Sequence, residues 1–218
     1  MAVIIFDYDG TLHDSMRIYA PAVRNCHERL VKAGIMKRRE ISEEELKSYL
    51  GLTGPEMWEL FAPELSQEQR QEGRRIIGEE LSKRVCAHEA HLYKGSREML
   101  EQLKAQGHHL VYLSNCRESY MNLHAEEFHL RNYFDEMLCA GQFGGKAKFE
   151  IVKELLPAWG GSAIAVGDRY KDMEISQVGN VKTIWCAYGY GSIEEGQSAD
   201  AIAESVTEIP KLVKQLLG

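Results

Sequence analysis

The feature that most constrains this chain is a set of short apolar runs, each cut off by a cluster of polar residues. The first, MAVIIF over residues 1–6, stops at Asp7-Tyr8-Asp9-Gly10-Thr11. His109–Leu113 stops at Ser114-Asn115, Met137–Ala140 at Gly141, Ala163–Val166 at Gly167-Asp168, and Val181–Ala187 at Tyr188-Gly189; Ala201–Ala203 is a short last run. Continuous apolar runs bounded by turn residues predict strands buried on both faces. Helical spacing fills the gaps between them. Ser96 is placed to cap a helix carrying Met99, Leu100 and Leu103, with Gly107 just past its end. Residues 118–129, 149–156 and 208–217 read as further helices, the last starting near Pro210. Strands alternating with helices predict an α/β fold built on a mainly parallel sheet, with ligands bound beyond the carboxyl ends of the strands. The polar clusters stand at those ends.

The stretch from Ser15 to His88 has a different pattern. No strand run occurs there. Ile18, Tyr19, Ala22, Val23, Cys26 and Leu30 repeat at helical spacing up to Gly34, and Ser42 with Glu45 forms a capping-box pattern. Met57, Leu60 and Phe61 mark a third helix and Gln67–Val85 a fourth. This is too long for a simple crossover. It predicts an all-helical cap over residues 15–88, inserted into a core formed by residues 1–14 and 89–218.

Composition narrows the partners. The 218 residues carry 26 Lys+Arg against 33 Asp+Glu, a formal charge of −7. That balance argues against nucleic-acid binding but leaves room for a local site that takes one small phosphate. The apolar start is too short for a signal peptide, and no run approaches a membrane span. Five cysteines without a C-x-x-C pair argue against zinc and disulfide frameworks. The expectation is a reduced, cytoplasmic protein with no membrane partner; monomer and homodimer stay equally open.

Four clusters carry chemistry. Asp7 and Asp9 place two carboxylates at i and i+2 in a strand-to-loop turn. Asp-Gly is also a common turn dipeptide, but unequal environments let one acid stay anionic as a nucleophile while its like-charged neighbour keeps a proton. Ser114 and Asn115 after a strand, with nearby backbone N–H groups, are candidate grips for phosphate oxygens. Lys146 or Lys148, entering a helix, is placed to neutralise phosphate and hold the nucleophile. Asp168 and Asp172, four apart in GDRYKD, either cap a helix or ligate a hard cation. Magnesium takes one or two direct carboxylates and keeps several waters, a pattern that Asp7, Asp168 and a backbone carbonyl fit.

In family order, these clusters resemble the haloacid dehalogenase-like hydrolase superfamily, nearest to its phosphoglycolate-phosphatase-like branch. D-x-D-G-T matches Asp7–Thr11 and extends through DGTLHDS; a Ser after a strand matches Ser114; the lysine motif matches the Lys146–Lys148 region; G-D-x-x-x-D matches Gly167–Asp172. The resemblance implies a Rossmann-like core with a helical cap, and magnesium-dependent hydrolysis of a small phosphorylated metabolite through an aspartyl phosphate. Asp7 would be the nucleophile and Asp9 the proton carrier, with Thr11 steadying the pair. Gly10, Ser114 and Asn115 would bind the phosphoryl group. Asp7, the Asp9 carbonyl and Asp168 would hold the metal, with Asp172 acting mainly through water or the lysine. Relatives with K-x-E before the helix favour Lys148; those with K-P-x-P favour Lys146, although both prolines are missing here. Asp9 itself favours phosphate, because halide leaves without a proton.

His13 departs from the apolar residue usual after D-G-T-L, and either faces substrate or lies on the flap's surface. His88 and His91 read as surface histidines, His108-His109 as structural, and Cys116 as a packed thiol near the pocket. Two other functions share these motifs: a sugar phosphomutase, which isomerises its substrate, and a non-catalytic phosphate-binding regulatory domain, which releases no phosphate.

Overall fold

A computed structural model describes residues 2–218. The chain runs β1 (Val3–Phe6), α1 (Met16–Lys32), α2 (Glu43–Tyr49), α3 (Gly54–Phe61), α4 (Gln67–Cys86), α5 (Ser96–Ala105), β2 (His109–Ser114), α6 (Glu118–Glu127) and β3 (Glu136–Cys139). It continues through α7 (Lys148–Leu155), β4 (Ala163–Gly167), α8 (Tyr170–Met173), β5 (Val181–Cys186), β6 (Ala201–Ala203) and α9 (Ile209–Leu217). The strand expected over residues 1–6 is seen as Val3–Phe6; Met1 lies outside the described residues.

The six strands form one parallel sheet in the order β3-β2-β1-β4-β5-β6. β1 is central, pairing Val3 with His109 on one side and with Ala163 on the other. All four of its residues are buried, which explains why the run is apolar without alternation. The pleat still divides it. Ile4 and Phe6 pack with Leu100, Leu103, Met121 and Val213, so α5, α6 and α9 cover one face. Val3 and Ile5 pack with Ile151, Val152 and Ile175, which puts α7 on the other. The direction of chain winding reverses between β1 and β4. In an open parallel sheet the helices diverge at such a point and leave a crevice.

Helices α1–α4 build an apolar cluster of their own, including Val23, Leu30, Leu46, Trp58, Phe61 and Ile76. Local signals start these helices. Ser66 and Gln69 form a reciprocal box before α4, with Ser66 N–H donating to Gln69 Oε1 at 2.9 Å and Gln69 N–H to Ser66 Oγ at 3.2 Å. Gly73 on α4 lies against Trp58: a Cβ there would stand 2.2 Å from the indole ring.

Two predicted caps differ in detail. Ser42 accepts from Glu45 N–H at 3.1 Å, but the Glu45 carboxylate turns to Arg39 and Tyr49 instead of returning to residue 42. Ser96 is the first helical residue of α5 and not its cap. Gly95, at φ 93°, makes the turn, and the buried Ser96 hydroxyl donates to the Leu12 carbonyl. Among the described residues, no helix is long and apolar enough to cross a membrane.

Candidate active site

The loop leaving β1 is tightly wound. Asp7 N–H still donates to Val166 at 2.9 Å, extending the sheet by one residue. The Tyr8 carbonyl then accepts from Thr11, Leu12 and His13 N–H groups at 2.9–3.2 Å. Gly10 sits at φ 86°, and a Cβ there would lie 2.3 Å from Asp168 Oδ2. Both the left-handed backbone and the close approach require glycine. Its N–H donates to the His13 carbonyl at 3.0 Å, so this expected phosphate donor is engaged within the loop.

The crevice at the switch point holds three acids from two strand ends. Asp7, Asp168 and Asp172 are all buried and offer oxygens within 4.8 Å of one another. Lys148, at the first position of α7, is buried with them; its Nζ donates to Asp7 Oδ1 at 2.5 Å and to Asp172 Oδ1 at 2.6 Å. Lys146 lies outside, paired with Glu154 at 2.5 Å. The lysine brought to the acids is therefore Lys148. The turn after β4 is fixed by Trp185 Nε1–H on the Asp168 carbonyl (2.8 Å) and by Tyr190 N–H on Asp168 Oδ2 (2.7 Å). Thr11 Oγ donates to Asp168 Oδ1 at 3.4 Å, so it touches this acid and not the Asp7–Asp9 pair.

Three buried carboxylates face one ammonium, leaving excess negative charge out of water. Burial, with Asp172 and Asp9 adding repulsion against the pull of Lys148, pushes Asp7 up to about 7. Burial, followed by Asp7 and Asp172, drives Asp168 well above its ordinary value. Lys148 moves the other way: burial would lower it, yet Asp172 and Asp7 hold it above the usual lysine range. A hard divalent cation would relieve this imbalance, so the donor set fits magnesium.

Asp9 is placed differently. One oxygen, Oδ1, accepts from Ser15 Oγ at 2.5 Å and from Tyr120 OH at 2.9 Å, and lies 3.0 Å from His13 Nδ1. Burial alone would raise its carboxyl; the His13 and Ser15 hydrogen bonds and the fields of His13 and His124 outweigh it and hold Asp9 below its ordinary value. The expectation that a like-charged neighbour keeps Asp9 protonated is thus corrected. In this arrangement the proton affinity accumulates on Asp7 and Asp168, which burial and the charge of neighbouring acids push up, while Asp9 has three hydrogen-bonding neighbours on one oxygen. His13 neither faces substrate nor lies on the surface. It is fully buried, stacked on Tyr8 at 5.1 Å and edge-on to His124 at 4.7 Å.

Above the acids lies a cavity of about 590 Å³ between the sheet and helices α1–α4. Asp7, Asp9, Ser114 and Asn115 form its floor. Asn115 Nδ2 donates to the Gly51 carbonyl at 3.0 Å, joining the β2 loop to the helical insertion. The acidic-motif turn makes the same connection: Arg169 Nη1 donates to the Leu50 carbonyl, its Nε to Glu195 at 3.0 Å, and Lys171 pairs with Glu56 at 2.6 Å. Cys116 lines the cavity and lies 3.6 Å from Tyr112 OH. His88 is on the surface, 2.7 Å from Glu127, and His109 lies 2.8 Å from Glu136.

Sequence reasoning missed Ser15, Tyr120, Arg169 and Tyr190. Ser15 stood inside the quoted DGTLHDS segment and Arg169 inside GDRYKD, so for both a signal existed. Tyr120 and Tyr190 reach the site from elements far away in sequence, with no local motif to mark them.

Residues 4–186 match the family model described as haloacid dehalogenase-like hydrolase. The chain belongs to this family. A phosphoglycolate phosphatase from Vibrio parahaemolyticus is 24% identical over 225 residues, covering 97% of this chain and 95% of the relative. Among solved structures, a predicted phosphoglycolate phosphatase from Haemophilus somnus superposes with a TM-score of 0.84 at 23% identity, covering 98% of each chain. CbbY from Rhodobacter sphaeroides, solved in complex with phosphate, gives 0.76 at 20% identity and 96% coverage of each. At these identities the structural likenesses establish the fold of this haloacid dehalogenase-like hydrolase.

Proposed function

We propose that this chain is a magnesium-dependent phosphatase acting on a small phosphorylated metabolite in the cytoplasm. The observation that carries the reading is Lys148 bridging Asp7 and Asp172 beside Asp168, at the sheet's switch point and under a cavity that Asp7 and Asp9 also line. The named relative and the five free thiols agree with it.

In this reading an Asp7 oxygen attacks phosphorus, the P–O bond to the leaving group breaks, and Asp9 gives the departing oxygen a proton. Water then attacks the aspartyl phosphate, Asp9 takes a proton from it, and phosphate leaves as the Asp7 carboxylate is restored. Proton transfer matters because an alkoxide leaves poorly without it. A phosphate dianion beside Asp9 raises its proton affinity by like-charge repulsion, which prepares it for the first step. Bound magnesium supplies charge stabilisation on the phosphoryl oxygens. Asp7, Asp168 and the Asp9 carbonyl would hold it directly, with Asp172 behind Lys148. Lys148 neutralises the phosphoryl group, and Ser114 with Asn115 orients it. Thr11 acts through Asp168. Residues 15–88 serve as the cap, closing the cavity against water.

The test is phosphate release from a panel of esters, with magnesium and with EDTA. Asp7→Asn abolishes turnover. Asp9→Asn slows alkyl phosphates on the order of 10²–10⁴-fold and p-nitrophenyl phosphate, whose leaving group needs no proton, much less. Equal loss on both would remove Asp9 from proton transfer. Absence of release from every ester would sink the phosphatase reading, and isomerisation of a sugar phosphate without net release would replace it with a mutase.

A further inference from the structure

The cavity over the acids is large and its walls are mostly apolar. Leu50, Leu52, Met57, Trp58, Ile77 and Leu81 line it, all from the helical insertion. A volume of about 590 Å³ lies within the range that encloses organic ligands well beyond two carbons in size. A two-carbon leaving group would leave most of these walls against water. A polyhydroxylated one would lose hydroxyl hydrogen bonds wherever it lay against the Leu, Ile and Met side chains, which offer none in return; the hydroxyls of Tyr19, Tyr49 and Ser82 cover only part of the lining. The walls suit a leaving group with a hydrocarbon or ring body.

Charge at the same cavity is specific. Glu79 on the wall is ion-paired with Arg75, and Asp7 on the floor with Lys148. Arg74, half-buried on α4, also lines the cavity, and among the described residues it has no hydrogen-bonded or ion-paired partner. The other arginines of α4 are matched: Arg70 with Glu59, Arg75 with Glu72 and Glu79, Arg84 with Glu80 and Glu89. Arg117, exposed before α6, stands at the rim. An arginine lining a largely apolar cavity without a carboxylate of its own is a candidate receptor for an anion brought by the ligand.

We infer that the natural substrate is a phosphate monoester whose leaving group combines an apolar body with a second anionic group, a carboxylate or a further phosphate, and that Arg74 reads that second anion. The inference rests on the phosphatase reading, which gives Asp7 the transferred phosphoryl group and so sets the leaving group among the cap residues. Arg74 acts here as a specificity residue, away from the reacting atoms. The alternative role for a half-buried arginine is to cover apolar surface with its methylene stem, which predicts no charge selectivity.

Two esters with matched benzylic leaving groups separate these roles: 4-carboxybenzyl phosphate and its neutral isostere, 4-carbamoylbenzyl phosphate. With magnesium, the wild-type protein favours the carboxylate ester in kcat/KM by on the order of tenfold, the worth of one charge-assisted hydrogen bond. Arg74→Met keeps the stem and removes the charge; it collapses this ratio toward one, and Arg74→Lys restores part of it. 2-Phosphoglycolate, which has the second anion and lacks the apolar body, is turned over less efficiently than 4-carboxybenzyl phosphate. No charge preference in the wild-type protein, or a ratio unmoved by Arg74→Met, overturns the role of Arg74. A preference for 2-phosphoglycolate overturns the apolar body. Phosphate release from the wider ester panel, p-nitrophenyl phosphate included, is the control: with release from any of its esters, these failures count against this inference alone, and with release from none the phosphatase reading and this inference fall together.

Discussion

Replacing Asp7, the proposed nucleophile, should stabilise the metal-free protein at alkaline pH while destroying its activity. Asp7 is almost completely buried, and its carboxyl is pushed from the ordinary 3.8 up to about 7, chiefly by burial. Between those values the folded state keeps a proton that the unfolded chain has released, so stability falls as pH rises through this window. At about 1.36 kcal/mol per pH unit, ionising Asp7 in the fold costs at most roughly 4 kcal/mol by pH 8. Asp7→Asn keeps an oxygen facing Lys148 Nζ and carries no charge, so that cost is absent.

The expected result, from urea unfolding in EDTA, is an Asp7→Asn variant more stable than wild type by about 2–4 kcal/mol at pH 8. Near pH 4, where the folded wild-type Asp7 is protonated and the unfolded chain has only begun to release its proton, the two differ by less than about 1 kcal/mol. Magnesium should narrow the gap at pH 8 by stabilising the wild-type protein more than the variant, since binding to the folded state alone adds to its stability. A variant less stable than wild type at pH 8 in EDTA would refute the reasoning. So would parallel pH profiles: both would mean that Lys148 fully compensates the buried acids, leaving no surplus charge for a cation to answer.

Other substitutions probe the same geometry. Gly10→Ala places a methyl group on Asp168 in a left-handed backbone; magnesium-dependent turnover should drop at least about 100-fold, with a loss of about 1–3 kcal/mol in thermal or urea unfolding. Lys148→Met should abolish measurable turnover and lower stability at pH 8 by about 3–5 kcal/mol, whereas Lys146→Ala, on an exposed pair with Glu154, should change unfolding by less than about 1 kcal/mol and leave turnover intact. Gly73→Ala should destabilise by about 1–3 kcal/mol, because its methyl group meets the Trp58 ring; an unchanged urea midpoint would show that α4 can shift away from α3.

The sheet was legible because its information is local. An apolar run such as Val3–Phe6 has to be covered on both faces, and the residue after it has to leave the sheet, so Asp7 and Asp168 mark strand ends before any coordinate is known. Once both acids stand at carboxyl ends, topology alone brings them together. The same logic reaches Lys148 only as far as a choice with Lys146, because either position can begin the helix. What decides between them is side-chain direction: residue 148 enters α7 facing the acids, while residue 146 lies in the loop near Glu154.

Contacts assembled from distant elements carry no such local mark. Asp9 could be read as half of a carboxylate pair, yet against its burial its carboxyl is held low by His13 from the loop, with Ser15 and the field of His124, and Tyr120 from α6 donates to the same oxygen. The two acids of the D-x-D motif thus sit two residues apart under opposite influences: Asp7 shares one lysine with Asp172 beside the buried Asp168, and Asp9 shares its single donor-rich pocket with none. Any account of the chemistry has to begin from that asymmetry. In the proposed mechanism an acid held below its ordinary value becomes a proton donor only after the phosphate dianion has arrived, which would couple substrate binding to proton uptake at Asp9. The Tyr120→Phe variant isolates the coupling. Removing one donor should raise the proton affinity of free Asp9 and, because the protonated acid serves the leaving group, move the alkaline fall of kcat/KM for alkyl esters to higher pH, with the unfolding free energy changed by only about 1–2 kcal/mol. An alkaline limb that stays in place would show that Tyr120 supports the aromatic packing around Tyr8 and His124 and does not set the charge on Asp9.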